Sequence, residues 1–167
     1  MKVDDVRTIL RALNDADVRY LIVGGLAVVA HGYVRFTQSI NLVIQLGREN
    51  VLRAMNAFTA IGYRPLVPVE AAQFANEALR QQWRDEKGMI VFQLLNPNRE
   101  STRIDIFVSE PFLFAEEFKT AKWHTWGELR APVLRIEALI AMKEGAGRPQ
   151  DLADAALLRD ILQSRHG

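Results

Sequence analysis

The sequence predicts an α/β (α+β) fold, a mixed sheet flanked by helices. Two observations carry this. Short apolar, β-branched segments alternate with longer stretches of helical period along the first half of the chain. A second pair of strand-like segments, Met89 to Leu95 and Arg103 to Val108, is separated by the turn signal Asn96-Pro97-Asn98, which predicts a hairpin.

The elements follow in order. Val3 to Ala16 places Val6, Ile9, Leu10 and Leu13 on one face of an amphipathic helix. Tyr20 to Val23 is a short, wholly apolar strand. Gly24-Gly25 breaks it, Leu26 to Ala30 suits a buried helix, and His31-Gly32 closes that helix with a glycine available for a left-handed cap. Ile40 to Leu46 is the second strand. Arg48 to Ile61 has helical period through Val51, Leu52, Met55 and Phe58, and Gly62 ends it. Pro65 and Pro68 mark a loop. Val69 to Trp83 then reads as one helix, with Phe74, Ala78 and Leu79 on its apolar side. After the hairpin, Pro111-Phe112 opens a short helical stretch whose Phe112, Phe114 and Phe118 read as core. Trp123 to Val133 holds one or two short strands around Gly127. Ile136 to Ala146 is a helix, and Pro149 opens a last one running through Leu162.

At 167 residues the chain has the length of one domain. Residues 1–128 form the core by this reading, and residues 129–167 a C-terminal helical segment packed on it. A chain of this size buries a core without staples. It has no cysteine, which excludes disulfides, thiolate zinc sites and cysteine catalysis. A net charge of +1 gives no bulk attraction to nucleic acid. No apolar run approaches the roughly 20 residues of a membrane helix. With no signal core in its first residues, a cytoplasmic location is expected.

The residues with chemical potential gather between Tyr20 and Leu46. The run G-G-L-A-V-V-A-H-G-Y-V-R-F-T is followed by Ser39-Ile40-Asn41-Leu42-Val43-Ile44. It resembles the head of nucleotidyltransferases of the DNA-polymerase-beta superfamily, and in particular those related to the abortive-infection toxins of type IV toxin–antitoxin systems. In that family the strand continues as D-I-D-L-V-I, and the two aspartates hold metal ions. Here Ser39 and Asn41 stand in those places. Side chains repeat every second residue along a strand, so the pair shares a face. Asp105, in R-I-D-I-F-V, matches the family's third carboxylate.

The tail carries the same resemblance. Leu139-Ile140-Ala141-Met142-Lys143 and Gly147-Arg148-Pro149-Gln150-Asp151-Leu152-Ala153-Asp154 are similar to the family's closing segment, which implies active-site roles for Lys143 and Asp151. Lys143 suits a phosphate as a point charge. Asp151 is equally a helix cap or a partner for Arg148 or Lys143. The resemblance covers both ends of the chain and leaves residues 49–100 unmatched.

The resemblance implies a nucleotide ligand, an NTP, contacted by Gly24, Gly25, Arg35, Thr37, Ser39 and Asn41. Two glycines at a strand-to-helix turn let backbone approach phosphate oxygens; they equally serve tight packing. Arg35 reaches a phosphate or a neighbouring carboxylate, or lies free on the surface. Magnesium prefers hard anionic oxygens. With Asp105 the sole carboxylate, the expectation is at most one weakly held ion on Asp105 and Asn41. His31 reads as structural. Trp123, His124 and Trp126 offer a stacking surface or a packed sheet edge.

Three functions follow. One is a degenerate, phosphate- or nucleotide-binding protein, which the loss of two carboxylates favours. Another is an active transferase moving NMP to RNA, protein or a small molecule, or an engineered inactive form of one. The last is a toxin–antitoxin-related interaction module, with RNA or a protein as partner. The sequence leaves the oligomeric state open.

Overall fold

A computed structural model describes residues 1–166 of the chain. Its seven-stranded mixed sheet has the order β3-β4-β5-β2-β1-β7-β6. The strands are β1 (Tyr20–Val23), β2 (Ser39–Ile44), β3 (Arg64–Pro65), β4 (Val91–Leu95), β5 (Arg103–Phe107), β6 (Lys122–Trp126) and β7 (Leu129–Val133). The helices are α1 (Val3–Asp15), α2 (Gly24–Ala30), α3 (Arg48–Ala60), α4 (Glu77–Lys87), α5 (Phe114–Lys119), α6 (Ile136–Ala146) and α7 (Pro149–His166). No helix among the described residues is long and apolar enough to cross a membrane.

β2 is the pivot of the sheet. It runs antiparallel to β1 and parallel to β5, and β5 continues antiparallel into β4. Ile40 and Leu42 of β2, with Ile104 and Ile106 of β5, are fully buried on one face. The core also takes in Val51, Met55 and Phe58 of α3 and Phe74 and Phe92, whose ring centroids lie 5.0 Å apart. Each buried aliphatic or phenyl side chain contributes about 1.5–3 kcal/mol. The alternate residues, Ser39, Asn41 and Asp105, face the other way, because a strand reverses its side chains at every step.

The observed elements refine the expected ones. β2 begins at Ser39 rather than Ile40, so both residues of the altered pair lie inside the strand. The single helix expected over Val69 to Trp83 is two elements, a 3-10 helix at Ala71–Ala75 and then α4. The break is at Asn76, whose side chain accepts from the Leu79 N–H and so caps a fresh helix. Gly24-Gly25 ends β1 as expected, and α2 already begins with these two glycines rather than at Leu26. β7 belongs to the sheet, pairing parallel to β1, and α7 extends to His166. The two-residue β3 lies where only a loop was expected. Of the phenylalanines expected in the core, Phe114 is buried, while Phe112 and Phe118 are half-buried against it.

Candidate ligand site

The strand register lays four side chains in a row across the sheet: Val23, Asn41, Asp105 and Gln93 are successive partners on β1, β2, β5 and β4. Asn41 and Asp105 are therefore neighbours on one face, as the alternation predicts. The Ser39 hydroxyl donates to Asn41 Oδ1 at 3.1 Å. The Gln93 amide donates to Asp105 Oδ1 at 3.2 Å. Asn41 Oδ1 and one of the two Asp105 oxygens thus each have a neutral donor on them already.

The donor set does not fit a two-ion centre. It comprises one carboxylate, one amide oxygen and one hydroxyl, where magnesium demands hard, mostly anionic oxygens. No cluster of three or more metal-ligating His, Cys, Asp or Glu side chains occurs among the described residues.

The glycine turn rests on this row. Gly24 has φ +67°, in the left-handed region. A Cβ placed there would meet Asn41 Cβ and Cγ at 2.8 Å, and one at Gly25 would meet Thr37 Oγ1 at 2.9 Å. Close packing on Thr37 and Asn41 is thus sufficient reason for both glycines. α2 has only seven residues, so its dipole adds little at this end.

Arg35, Lys143, Arg148, Asp151 and Asp154 form one chain of charge. Asp154, 0% exposed, receives an Arg35 N–H and lies 3.0 Å from Lys143 Nζ. Gln150 donates to its other oxygen at 3.0 Å. Lys143 also reaches Asp151 at 3.5 Å, and Arg148 Nε donates to Asp151 at 2.6 Å. The hydrogen bond from Arg148 and the nearby Lys143 charge outweigh burial and hold the Asp151 carboxyl below its ordinary range. Of the alternatives for Asp151, the observed one is the partner of both cations. Arg35 meets a carboxylate. Asp154 carried no assigned role in the sequence; its signal was the three-residue spacing from Asp151, which puts both on one helix face.

A cleft of about 580 Å³ joins these parts. Gly24, Asn41, Lys143, Arg148 and Asp151 line it, together with Phe107, Phe112 and Met142. Glu117 and Arg135 close one side in a bidentate pair at 2.8 and 3.0 Å. Asp105 is not among the lining residues, although its neighbour Asn41 is. Other candidates lie apart from the cleft. His31 is buried, its Nε2 2.8 Å from the Leu134 carbonyl oxygen. Trp123, His124 and Trp126 lie on β6, the outermost strand on that side of the sheet.

No protein-family model matches the chain, and no curated protein sequence matches it significantly. Solved structures do match in fold. One is the lincosamide antibiotic adenylyltransferase LnuA with lincomycin bound, at 14% identity, covering 95% of this chain and 96% of that one, with a TM-score of 0.62. Another is ANT(2'')-Ia in complex with adenylyl-2''-tobramycin, at 16% identity over 99% and 98% of the two chains, with a TM-score of 0.55. A solution structure of the antibiotic-resistance factor ANT(2'')-Ia matches at 16% identity over 98% and 92%, also with a TM-score of 0.55.

Proposed function

We propose that this chain, built on the fold of those antibiotic nucleotidyltransferases, binds a nucleotide or another small phosphate compound with little or no metal-dependent catalysis. One observation carries the reading: the row Asn41–Asp105 supplies a single carboxylate, and Ser39 and Asn41 hydrogen bond to each other. Two-ion nucleotidyl transfer clamps both the attacking and the leaving oxygen, and one carboxylate is too little charge to hold two divalent ions. Any ion on Asp105 and Asn41 is weakly held.

Lys143 and Arg148, which line the cleft together with Asn41, hold the phosphate in this reading. Phe107, Phe112 and Met142 suit the less polar body of a small molecule. A concave, largely apolar cleft favours such a ligand over RNA or a protein surface, and with it over a toxin–antitoxin partner. The structures of similar fold carry small antibiotics, lincomycin and an adenylylated tobramycin. That likeness favours one second reading, an active transferase acting on a small hydroxylated acceptor.

Calorimetry with a nucleoside triphosphate, with and without magnesium, tests the proposal. Saturable binding that changes less than threefold on adding magnesium supports it. Incorporation of labelled nucleotide into any of a panel of small acceptors by the chain as it stands would overturn it and support the second reading.

A further inference from the structure

A second pocket, also of about 580 Å³, opens where β2 and β5 end and shares no lining residue with the first cleft. Arg48, Arg80 and Arg84 line it, with Glu77, Glu110 and Gly47. Arg80 is the unusual member. It is 5% exposed, yet no carboxylate lies within 4.0 Å of it among the described residues. Its Nη1 donates to the Phe74 carbonyl oxygen at 2.6 Å, and its guanidinium carbon sits 5.5 Å from the Phe74 ring centroid. Nε and Nη2 meet no acceptor among the described residues, and neither is fully buried.

Buried charges are ordinarily paired, since removing a cation from water is costly. Arg80 has its side chain fixed by the backbone of the 3-10 helix and its remaining donors left over. Burial pushes its pKa down, with the Glu77 charge opposing this and the Arg84 charge adding to it. Arg48 and Arg84 are exposed at the same pocket and also form no ion pair among the described residues. Gly47, the residue before α3, provides no side-chain cap, so the first N–H groups of this 13-residue helix add donors. The two glutamates leave the pocket with one net positive charge, which suits a single phosphate group rather than a polyphosphate chain. The basic groups are confined to a concavity and form no stripe for a nucleic-acid backbone.

We propose that this pocket is a second ligand site, binding a small phosphate monoester with its phosphate on the Arg80 fork and Arg48 and Arg84 at the mouth. This site is independent of the first cleft. Titration calorimetry of the whole chain with inorganic phosphate and with phenyl phosphate tests it. The expected result is a saturable binding component that is weakened tenfold or more in Arg48→Glu and in Arg84→Glu, both at exposed positions, and that persists in Lys143→Ala, where only a contribution from the first cleft is lost. Arg80→Lys, which keeps the charge and loses the fork, weakens binding similarly, with its melting curve recorded to show that it folds. The absence of saturable binding of either probe overturns the proposal, as does unchanged affinity in Arg48→Glu and Arg84→Glu. Loss of binding in Lys143→Ala alone assigns the phosphate to the first cleft and also overturns it. Tighter binding of a short oligonucleotide, per phosphate, than of phenyl phosphate would replace the small ligand with nucleic acid.

Discussion

Ser39 donates its hydroxyl to the side-chain oxygen of Asn41, 3.1 Å away along the same face of β2. This bond replaces the repulsion that two carboxylates would feel at those positions. The variant Ser39→Asp/Asn41→Asp therefore sets three carboxylates beside one another with Asp105. Without metal it should lose about 1–3 kcal/mol of stability. Magnesium should restore that loss and raise the melting temperature, whereas the parent chain should respond little. Thermal melts of both proteins with and without magnesium measure this. Equal responses would mean that Asp105 does not face the pair.

Gly24 binds the fate of the glycine turn to that of Asn41. Gly24→Ala places a side chain at φ +67° and 2.8 Å from Asn41 Cβ. The left-handed backbone alone costs about 1–2 kcal/mol, and Asn41 must also shift. Denaturant unfolding should show a loss of at least the backbone amount. A smaller loss in Gly24→Ala/Asn41→Gly, with the crowding relieved, would separate the two contributions.

Asp154 is where two elements far apart in sequence meet. Asp154→Asn leaves Arg35 and Lys143 without their shared charge. Breaking a buried pair costs about 3–5 kcal/mol. The lower end applies here, because Arg35 is 22% exposed and Lys143 keeps Asp151. Urea unfolding should show this loss, while Arg148→Ala, at a side chain 77% exposed, should lose far less.

His31 sets a pH dependence. Burial pushes its pKa below the ordinary value, with the Arg165 charge working in the same direction and the Leu134 carbonyl opposing both. The folded state then refuses a proton that the unfolded chain accepts. Stability is fully present above the unfolded value of about 6.5 and falls with pH down to the lowered folded value. The slope reaches at most about 1.4 kcal/mol per pH unit. His31→Gln should flatten unfolding free energy across that window. An unchanged profile would remove His31 as its source.

The local elements were legible in the sequence where apolar periodicity was strong. α1, β1, α3, α6 and the β4–β5 hairpin lie within a few residues of their expected bounds. The alternation of Ser39 and Asn41 also foretold their common face. Other features depend on distance or on a single side chain. Nothing local says that β2 pairs in parallel with β5, or that Arg35 meets Asp154. Val69 to Trp83 has continuous helical period, yet Asn76 turns its amide onto a backbone N–H and divides it. Nothing local sets Arg80 apart from the other arginines of α4, and only the tertiary fold buries it.

The Arg35–Asp154 pair also has a temporal consequence. Its residues are 119 positions apart, and Asp154 lies on the last helix of the described chain. Contacts of such separation close late, after the entropy of a long loop has been overcome. As the chain is synthesised, the segment around Arg35 emerges long before its counter-charge. The charge cluster that ties Arg35 to Lys143 through Asp154 is therefore complete only once α7 has docked. Shortening the chain before Asp154 leaves Arg35 and Lys143 without that anchor, however well the sheet itself has formed.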